Sequence, residues 1–174
     1  MAKNEVDKEL ILIAPLVKGM TRGAFPNDDE FKNLVSWINT RALLAQRERK
    51  SRTYMALYDD KAIAYITISM SSITDIQGSK GKTAYDFPVL LVGKLYTHPD
   101  FRGNGVGKEL MDFVLDITQK IDALTGCVGL LVDANNNDGT VRFYENFGFV
   151  KIDENDEDRT VKMFFKIPEE PIIS

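Results

Sequence analysis

From residue 102 the chain reads Arg102-Gly103-Asn104-Gly105-Val106-Gly107, and the clearest amphipathic helix in the sequence begins there. A helix N-terminus offers free backbone N–H groups and the positive end of the helix dipole, so it attracts phosphate. Glycines at 103, 105 and 107 let a ligand approach the main chain with no Cβ in the way. Arg102 adds a permanent positive charge, and a pyrophosphate is the natural guest. The dinucleotide fingerprint needs glycine at the first, third and sixth places, whereas here glycine stands at every second one. A kinase-type phosphate loop needs Lys-Ser or Lys-Thr after its last glycine, and Gly107 is followed by Lys108-Glu109. A turn that merely joins strand to helix is the remaining alternative.

The surrounding pattern supplies the elements that must hold this turn. Val89 to Thr97 is an apolar run that reads as a buried strand ahead of it. After it, Val106, Leu110, Phe113, Val114, Ile117, Ile121 and Leu124 fall on one helical stripe. Lys108, Glu109, Asp112, Asp116, Gln119 and Lys120 fall on the other. Val128 to Val132 reads as a second buried strand. Asn137 to Asn146 reads as a short helix stopped by Gly148. Upstream, Leu10 to Leu16 reads as a first strand. Pro26 to Glu30 reads as a helix start with Asn27 as cap and Glu30 reaching back. Phe31, Leu34, Val35 and Ile38 give that helix its apolar face, and it runs to about Arg49 with room for a break. Thr53 to Tyr58 and Ala62 to Met70 form a hairpin across Asp59-Asp60-Lys61. Ser71 to Phe87 is a polar loop, Phe149 to Ile152 and Thr160 to Ile167 are strands joined by an acidic loop, and the end of the chain is a loose tail.

Length and composition narrow the class. The chain has 174 residues, 44% of them apolar and 28% charged, which fits one globular domain over residues 1–174. One Cys and one His exclude a disulfide framework, a Cys-rich zinc site and a His-rich metal site, so no metal is expected. The net charge of −4 is unlike that of a protein held to nucleic acid by its overall charge. The N-terminus has no apolar core after a basic start, and no run is long enough to span a bilayer. The expectation is a soluble cytoplasmic protein without membrane contact.

Two segments together carry a family resemblance. Leu95-Tyr96-Thr97-His98-Pro99-Asp100-Phe101-Arg102-Gly103-Asn104-Gly105-Val106-Gly107-Lys108-Glu109-Leu110 resembles the acetyl-CoA motif of the GNAT superfamily of N-acetyltransferases, whose core Arg/Gln-x-x-Gly-x-Gly/Ala is matched by Arg102, Gly105 and Gly107. Asn137-Asp138-Gly139-Thr140-Val141-Arg142-Phe143-Tyr144-Glu145-Asn146-Phe147-Gly148-Phe149 is similar to the family's Asn-x-x-Ala-x-x-Phe-Tyr-x-x-x-Gly-Phe block, with Thr140 where Ala is usual. The resemblance covers Val89 to Phe149. It implies an α/β fold with a mixed central sheet, splayed between strands four and five and flanked by helices. It implies acetyl-CoA as donor, its pantetheine arm paired with the main chain near Leu95, Tyr96 and Thr97. Its pyrophosphate would lie on Arg102, Gly103, Asn104, Gly105, Val106, Gly107 and Lys108, and its thioester would point toward Tyr144.

By the same resemblance Tyr144 is the general acid. A phenol with a pKa near 10 stays protonated at pH 7 and can donate to a forming thiolate; the alternative is an aromatic packing residue beside Phe143 and Phe147. Asn137 would bond the pantetheine, cap its helix, or do both. No carboxylate lies on the strand where relatives place a base; Lys94 stands there instead. Asp133 is the nearest acid, either a base acting through water or, by preference, a turn residue. His98 reads as an exposed turn residue and Cys127 as core.

The missing base suits an acceptor that is already partly neutral, such as an aminoacyl ester. Phe31 to Gln46 and Ser51 to Ala56 look like the N-terminal region of tRNA-acetylating toxins, and Pro88 to Leu95 resembles their fourth strand. Ala64 and Tyr96-Thr97 depart from their usual residues. That resemblance implies charged tRNA and a small antitoxin as partners. Arg41, Arg47, Arg49, Lys50 and Arg52 face the single acid Glu48, which supports it in part. A small-molecule or peptide amine is the broader expectation, with a homodimer open. A non-catalytic acetyl-CoA-binding regulator is the further alternative.

Overall fold

The computed structural model describes residues 5–74, 86–153 and 159–168. Seven strands lie in the order β1-β2-β3-β4-β5-β7-β6. They are β1 (Leu12–Pro15), β2 (Arg52–Tyr58), β3 (Lys61–Thr74), β4 (Asp86–Thr97), β5 (Gly129–Asn135), β6 (Val150–Lys151) and β7 (Thr160–Lys166). The sheet is mixed, with β4 and β5 parallel, as the α/β expectation requires. The helices are α1 (Lys32–Thr40), α2 (Ala42–Arg47), α3 (Val106–Thr125) and α4 (Asp138–Phe147). No described helix is long and apolar enough to cross a membrane.

By packing, the chain forms two compact units. The first holds residues up to Ser69 and Val92–Val114. Here β1 pairs antiparallel with β2, from Leu12 against Leu57 to Pro15 against Tyr54. Pro15 lacks an N–H donor and is tolerated because β1 is an edge strand. The β2–β3 hairpin turns at Asp59 and Asp60, whose φ angles of 48° and 60° suit a tight turn that aspartate accepts more readily than bulky residues do. The core gathers Leu16, Ile38, Ala42, Met55, Tyr65 and Tyr96, with Trp37 packed against it. Phe25 meets Tyr65 and Tyr96 edge to face, the arrangement that aromatic quadrupoles favour.

The second unit holds Met70–Leu91 and the residues from Leu115 onward. In it β5 pairs antiparallel with β7, and Val128 N–H donates to Pro88 O at 2.9 Å. Ile73, Val89, Leu131 and Phe164 form its core.

Several expectations shift. The helix expected from residues 26–30 starts at Lys32, with Phe31 at the cap position and no side-chain cap bond, so Asn27 does not cap it. The break between α1 and α2 falls at Arg41. Strand β3 runs on to Thr74 and β4 starts at Asp86, which trims the expected polar loop from both sides; residues 75–85 lie outside the described residues, as do 154–158 of the acidic loop and 169–174 of the tail. On α3 the fully buried residues are Val106, Leu110, Met111, Val114 and Thr118, whereas Leu124 is 86% exposed. The packed stripe therefore follows i, i+4, i+8 and i+12 and leaves the last turn unpacked. The stop at Gly148 is as expected: its φ is 113°, and its N–H donates to Glu145 O at 3.0 Å.

A Cβ at Gly148 would also stand 3.0 Å from the Phe165 ring. Gly148→Ala should therefore lower stability by about 1–2 kcal/mol, read as an earlier urea midpoint with an unchanged slope.

Candidate functional site

In the first unit the site is the turn between β4 and α3. Gly103 and Gly105 have φ of 79° and 78°, values an L side chain rarely adopts. Asn104 ties the turn to itself, its Nδ2 donating to Phe101 O at 3.1 Å. The first hydrogen bond of α3 runs from Glu109 N–H to Gly105 O at 3.1 Å. The N–H groups of Val106, Gly107 and Lys108 lie ahead of it, where no helical carbonyl is available to them. A turn of this geometry can hold an anion with main chain alone.

The guanidinium expected to strengthen that turn is committed elsewhere. Arg102 forms an ion pair with Asp28 Oδ2, its Nε donates to Thr97 O at 3.0 Å, and Glu30 lies 4.0 Å away. Its flat face lies 4.6 Å from the Phe31 centroid and 5.5 Å from that of Tyr96. Asp28 is almost fully buried, its side chain 7% exposed. Its Oδ2 also accepts from the Tyr96 hydroxyl at 2.9 Å, and its Oδ1 from Phe31 N–H at 3.3 Å. Burial alone would raise the carboxyl pKa. The hydrogen bonds from Arg102 and Tyr96 and the Arg102 charge outweigh it and hold the carboxyl below its usual value. Burial and the Asp28 carboxylate push the Tyr96 phenol well above its ordinary range. Arg102 thus clasps the loop ahead of α1 to the end of β4, a role its motif position does not reveal. Lys108 is paired too, 2.6 Å from Asp112 one turn along α3.

A cation that the sequence reading missed stands over the turn. Lys8 lies in a short 3₁₀ helix, Lys8–Leu10, capped by Asp7. A Cβ at Gly105 would stand 2.7 Å from its Cε and Nζ. No motif marks Lys8.

On β4, Lys94 places its ammonium 4.9 Å from the Trp37 centroid, within cation–π reach. Burial lowers its pKa. Trp37 stacks on Tyr65. Arg41, Arg47, Arg49, Lys50 and Arg52 are all exposed, and Lys50 pairs with Glu48 at 2.6 Å. His98 is mostly buried, its side chain 17% exposed, and caps the helical turn Pro99–Phe101 by accepting from Asp100 N–H at 3.1 Å. It is a cap, contrary to the exposed role expected of it.

In the second unit the Asn137–Phe149 block forms α4 and its stop. Asn137 Oδ1 accepts from Thr140 N–H at 2.9 Å, so the capping role is present. Tyr144 is buried, edge to face with Phe143 and Phe149. The packing partner expected at Phe147 is instead Phe149; Phe147 meets Phe149 and Phe165. Burial raises the Tyr144 pKa well beyond its ordinary value, which keeps the phenol protonated at neutral pH. Asp133 is not the turn residue expected of it. It sits inside β5 opposite Lys162, with an ion pair at 3.7 Å. Cys127 is buried, as expected, and burial raises its thiol pKa. No metal-ligating cluster occurs among the described residues.

The acetyltransferase (GNAT) family model matches residues 18–149. Among solved structures, the AtaT complex with acetyl-methionyl-tRNAfMet is similar at 20% identity and a TM-score of 0.74, over 90% of this chain and 94% of that one. A mutant AtaT toxin bound to the C-terminus of the antitoxin AtaR and to acetyl-CoA is similar at 17% identity and a TM-score of 0.70, over 88% of this chain and 92% of that one. The KacTA–DNA complex is similar at 19% identity and a TM-score of 0.70, over 90% and 92%.

The Asp28 carboxyl has a lowered folded-state pKa, so its stabilisation is fully present above the unfolded value of about 3.9 and is lost as pH falls through the folded one. Asp28→Asn should lower stability by about 3–5 kcal/mol at pH 7, because Arg102 loses its buried partner. The difference between wild type and variant should narrow below about pH 4, which thermal melts from pH 7 to pH 3 would show.

Proposed function

The chain belongs to the acetyltransferase (GNAT) family, and from that premise we propose that the amine it acetylates is the α-amino group of an amino acid esterified to tRNA. The enzyme is an N-acetyltransferase that takes its acetyl group from acetyl-CoA. The observation that carries the acceptor reading is the first unit's pairing of an aromatic face with cations. The Lys94 ammonium, held over the Trp37 ring and partly desolvated, offers a cation for an oxygen of the acceptor's aminoacyl-ester end. The exposed cations Arg41, Arg47, Arg49, Lys50 and Arg52, around α2 and at the start of β2, offer charges suited to a phosphodiester backbone. The similarity to AtaT bound to acetyl-methionyl-tRNAfMet supports the same reading. An antitoxin is the protein partner it entails, in line with the AtaT–AtaR neighbour.

The turn's main chain from Gly103 to Lys108 holds the pyrophosphate. The β4 backbone at Leu95, Tyr96 and Thr97 pairs with the pantetheine arm, and in the second unit Asn137 caps α4. The acceptor nitrogen, neutral because an aminoacyl ester has a less basic amine than lysine, attacks the thioester carbonyl. As the C–S bond breaks, Tyr144 gives its proton to the sulfur. The acceptor nitrogen loses one proton to solvent, and the phenolate is reprotonated. The absence of a carboxylate from Val89 to Thr97, the part of β4 that leads to the turn, fits an amine that needs little deprotonation.

Tyr144→Phe should retain acetyl-CoA affinity and lower kcat by roughly 10²-fold, measured by thiol release alongside calorimetric titration. An unchanged kcat would make Tyr144 a packing residue only.

The acceptor itself is tested by acetylation of bulk aminoacyl-tRNA against a panel of free amines. The wild-type protein should acetylate charged tRNA. Replacing Arg47, Arg49 and Lys50 together by Ala should slow that reaction about tenfold at low salt and flatten its salt dependence, evenly across tRNAs. Transfer to a small amine with no acetylated tRNA would overturn the tRNA reading and leave a small-amine acetyltransferase in its place.

A further inference from the structure

An anion seated on the α3 N-terminus needs cations near it, and the first unit shows how far each is committed. Arg102 is held by Asp28, Thr97 O and two aromatic faces. Removing it would strand a buried carboxylate. Lys108 is held at 2.6 Å by Asp112, which hydrogen-bonds it. Lys8 differs from both. Among the described residues its only ion pair is a loose one to Glu109 at 3.8 Å, with both side chains partly in solvent. Such a pair is worth little and is easily exchanged.

The position of Lys8 is nonetheless fixed. Asp7 Oδ1 accepts from Glu9 N–H at 3.1 Å, Leu10 N–H donates to Asp7 O and Ile11 N–H to Lys8 O. Val6 is buried on one side of this turn, and β1 begins at Leu12 on the other. The backbone is therefore anchored while the long side chain stays free to move. Its terminal atoms lie over Gly105, in the space that any other residue there would fill with its own Cβ.

Resting on the acetyl-CoA site described above, we propose that Lys8, rather than Arg102, supplies the side-chain cation for the pyrophosphate held at the Gly103–Lys108 turn. Lys8 exchanges Glu109 for a phosphate oxygen when the donor binds, and Arg102 remains with Asp28. The sequence motif then marks the main-chain cradle, and the charge comes from a residue nearly a hundred positions upstream.

The test is calorimetric titration of the full chain with acetyl-CoA and with its 3′-dephospho form, at low and high salt. Lys8→Ala should weaken both ligands about five- to tenfold at low ionic strength, and the loss should shrink as salt screens the contact. Lys8→Arg should restore most of the affinity. Melting of the ligand-free variants should match wild type, since only an exposed ion pair is lost. Equal affinity of wild type and Lys8→Ala would overturn the assignment. A loss seen with acetyl-CoA but absent with the 3′-dephospho form would also overturn it, by moving Lys8 to the 3′-phosphate. Failure of the wild-type protein to bind acetyl-CoA would instead sink the donor-site reading itself.

Discussion

The first unit depends on one buried carboxylate. Asp28 is enclosed, and an ionised acid in that position costs several kcal/mol unless its oxygens are satisfied. Arg102, Tyr96 and the Phe31 N–H satisfy it together. These partners come from three places: the end of β4, the turn beyond it and the start of α1. Their shared acceptor locks the entry to α1 against the segment that leads into α3. The aromatic faces of Phe31 and Tyr96 complete the enclosure of the guanidinium. Arginine suits this better than lysine, because a planar fork can bond two acceptors and stack at once.

That commitment bears on what the turn can offer an anion. With Arg102 paired to Asp28, the turn itself contributes the main-chain N–H groups and dipole of a helix N-terminus. The glycines are required for separate reasons. Gly103 and Gly105 adopt left-handed backbone, and Gly105 also leaves open the space that the Lys8 ammonium occupies. In the second unit, burial among aromatic rings keeps the Tyr144 phenol protonated. Burial that raises the phenol pKa keeps its proton in place and at the same time makes it a weaker acid.

Charge distribution matters more than total charge here. The chain carries a net −4, yet the residues from Arg41 to Arg52 expose five cations against one acid. Coulombic attraction is screened beyond about 10 Å at 0.1 M salt, so an approaching polyanion responds to the local patch. Lys94 belongs to a different regime. It is half-buried against Trp37, where its charge is desolvated and its pKa lowered.

Local rules made much of this protein readable from its sequence. The glycine turn, the Gly148 stop, the Asp59–Asp60 hairpin and the Asn137 cap each depend on residues within a few positions of one another, and spacing reveals such contacts directly. Two ordered motifs fixed the family for the same reason. Long-range partnership was decided only by folding. Nothing in the run Asn27-Asp28-Asp29-Glu30 says which acid will be buried, and a capping pattern at Asn27 was the local answer. Tertiary packing chose Asp28, because only there do a phenol and a guanidinium from distant segments meet the carboxylate. Asp133 looked like the residue of a turn and became a strand residue when β7 set Lys162 opposite it. Lys8 carries no signature at all, since a lone lysine near a chain end looks alike whether it faces water or a phosphate turn. Periodicity and glycine placement act through the backbone next to them. The pairing of charges across a fold depends on which surfaces are brought together and which are shut away from water.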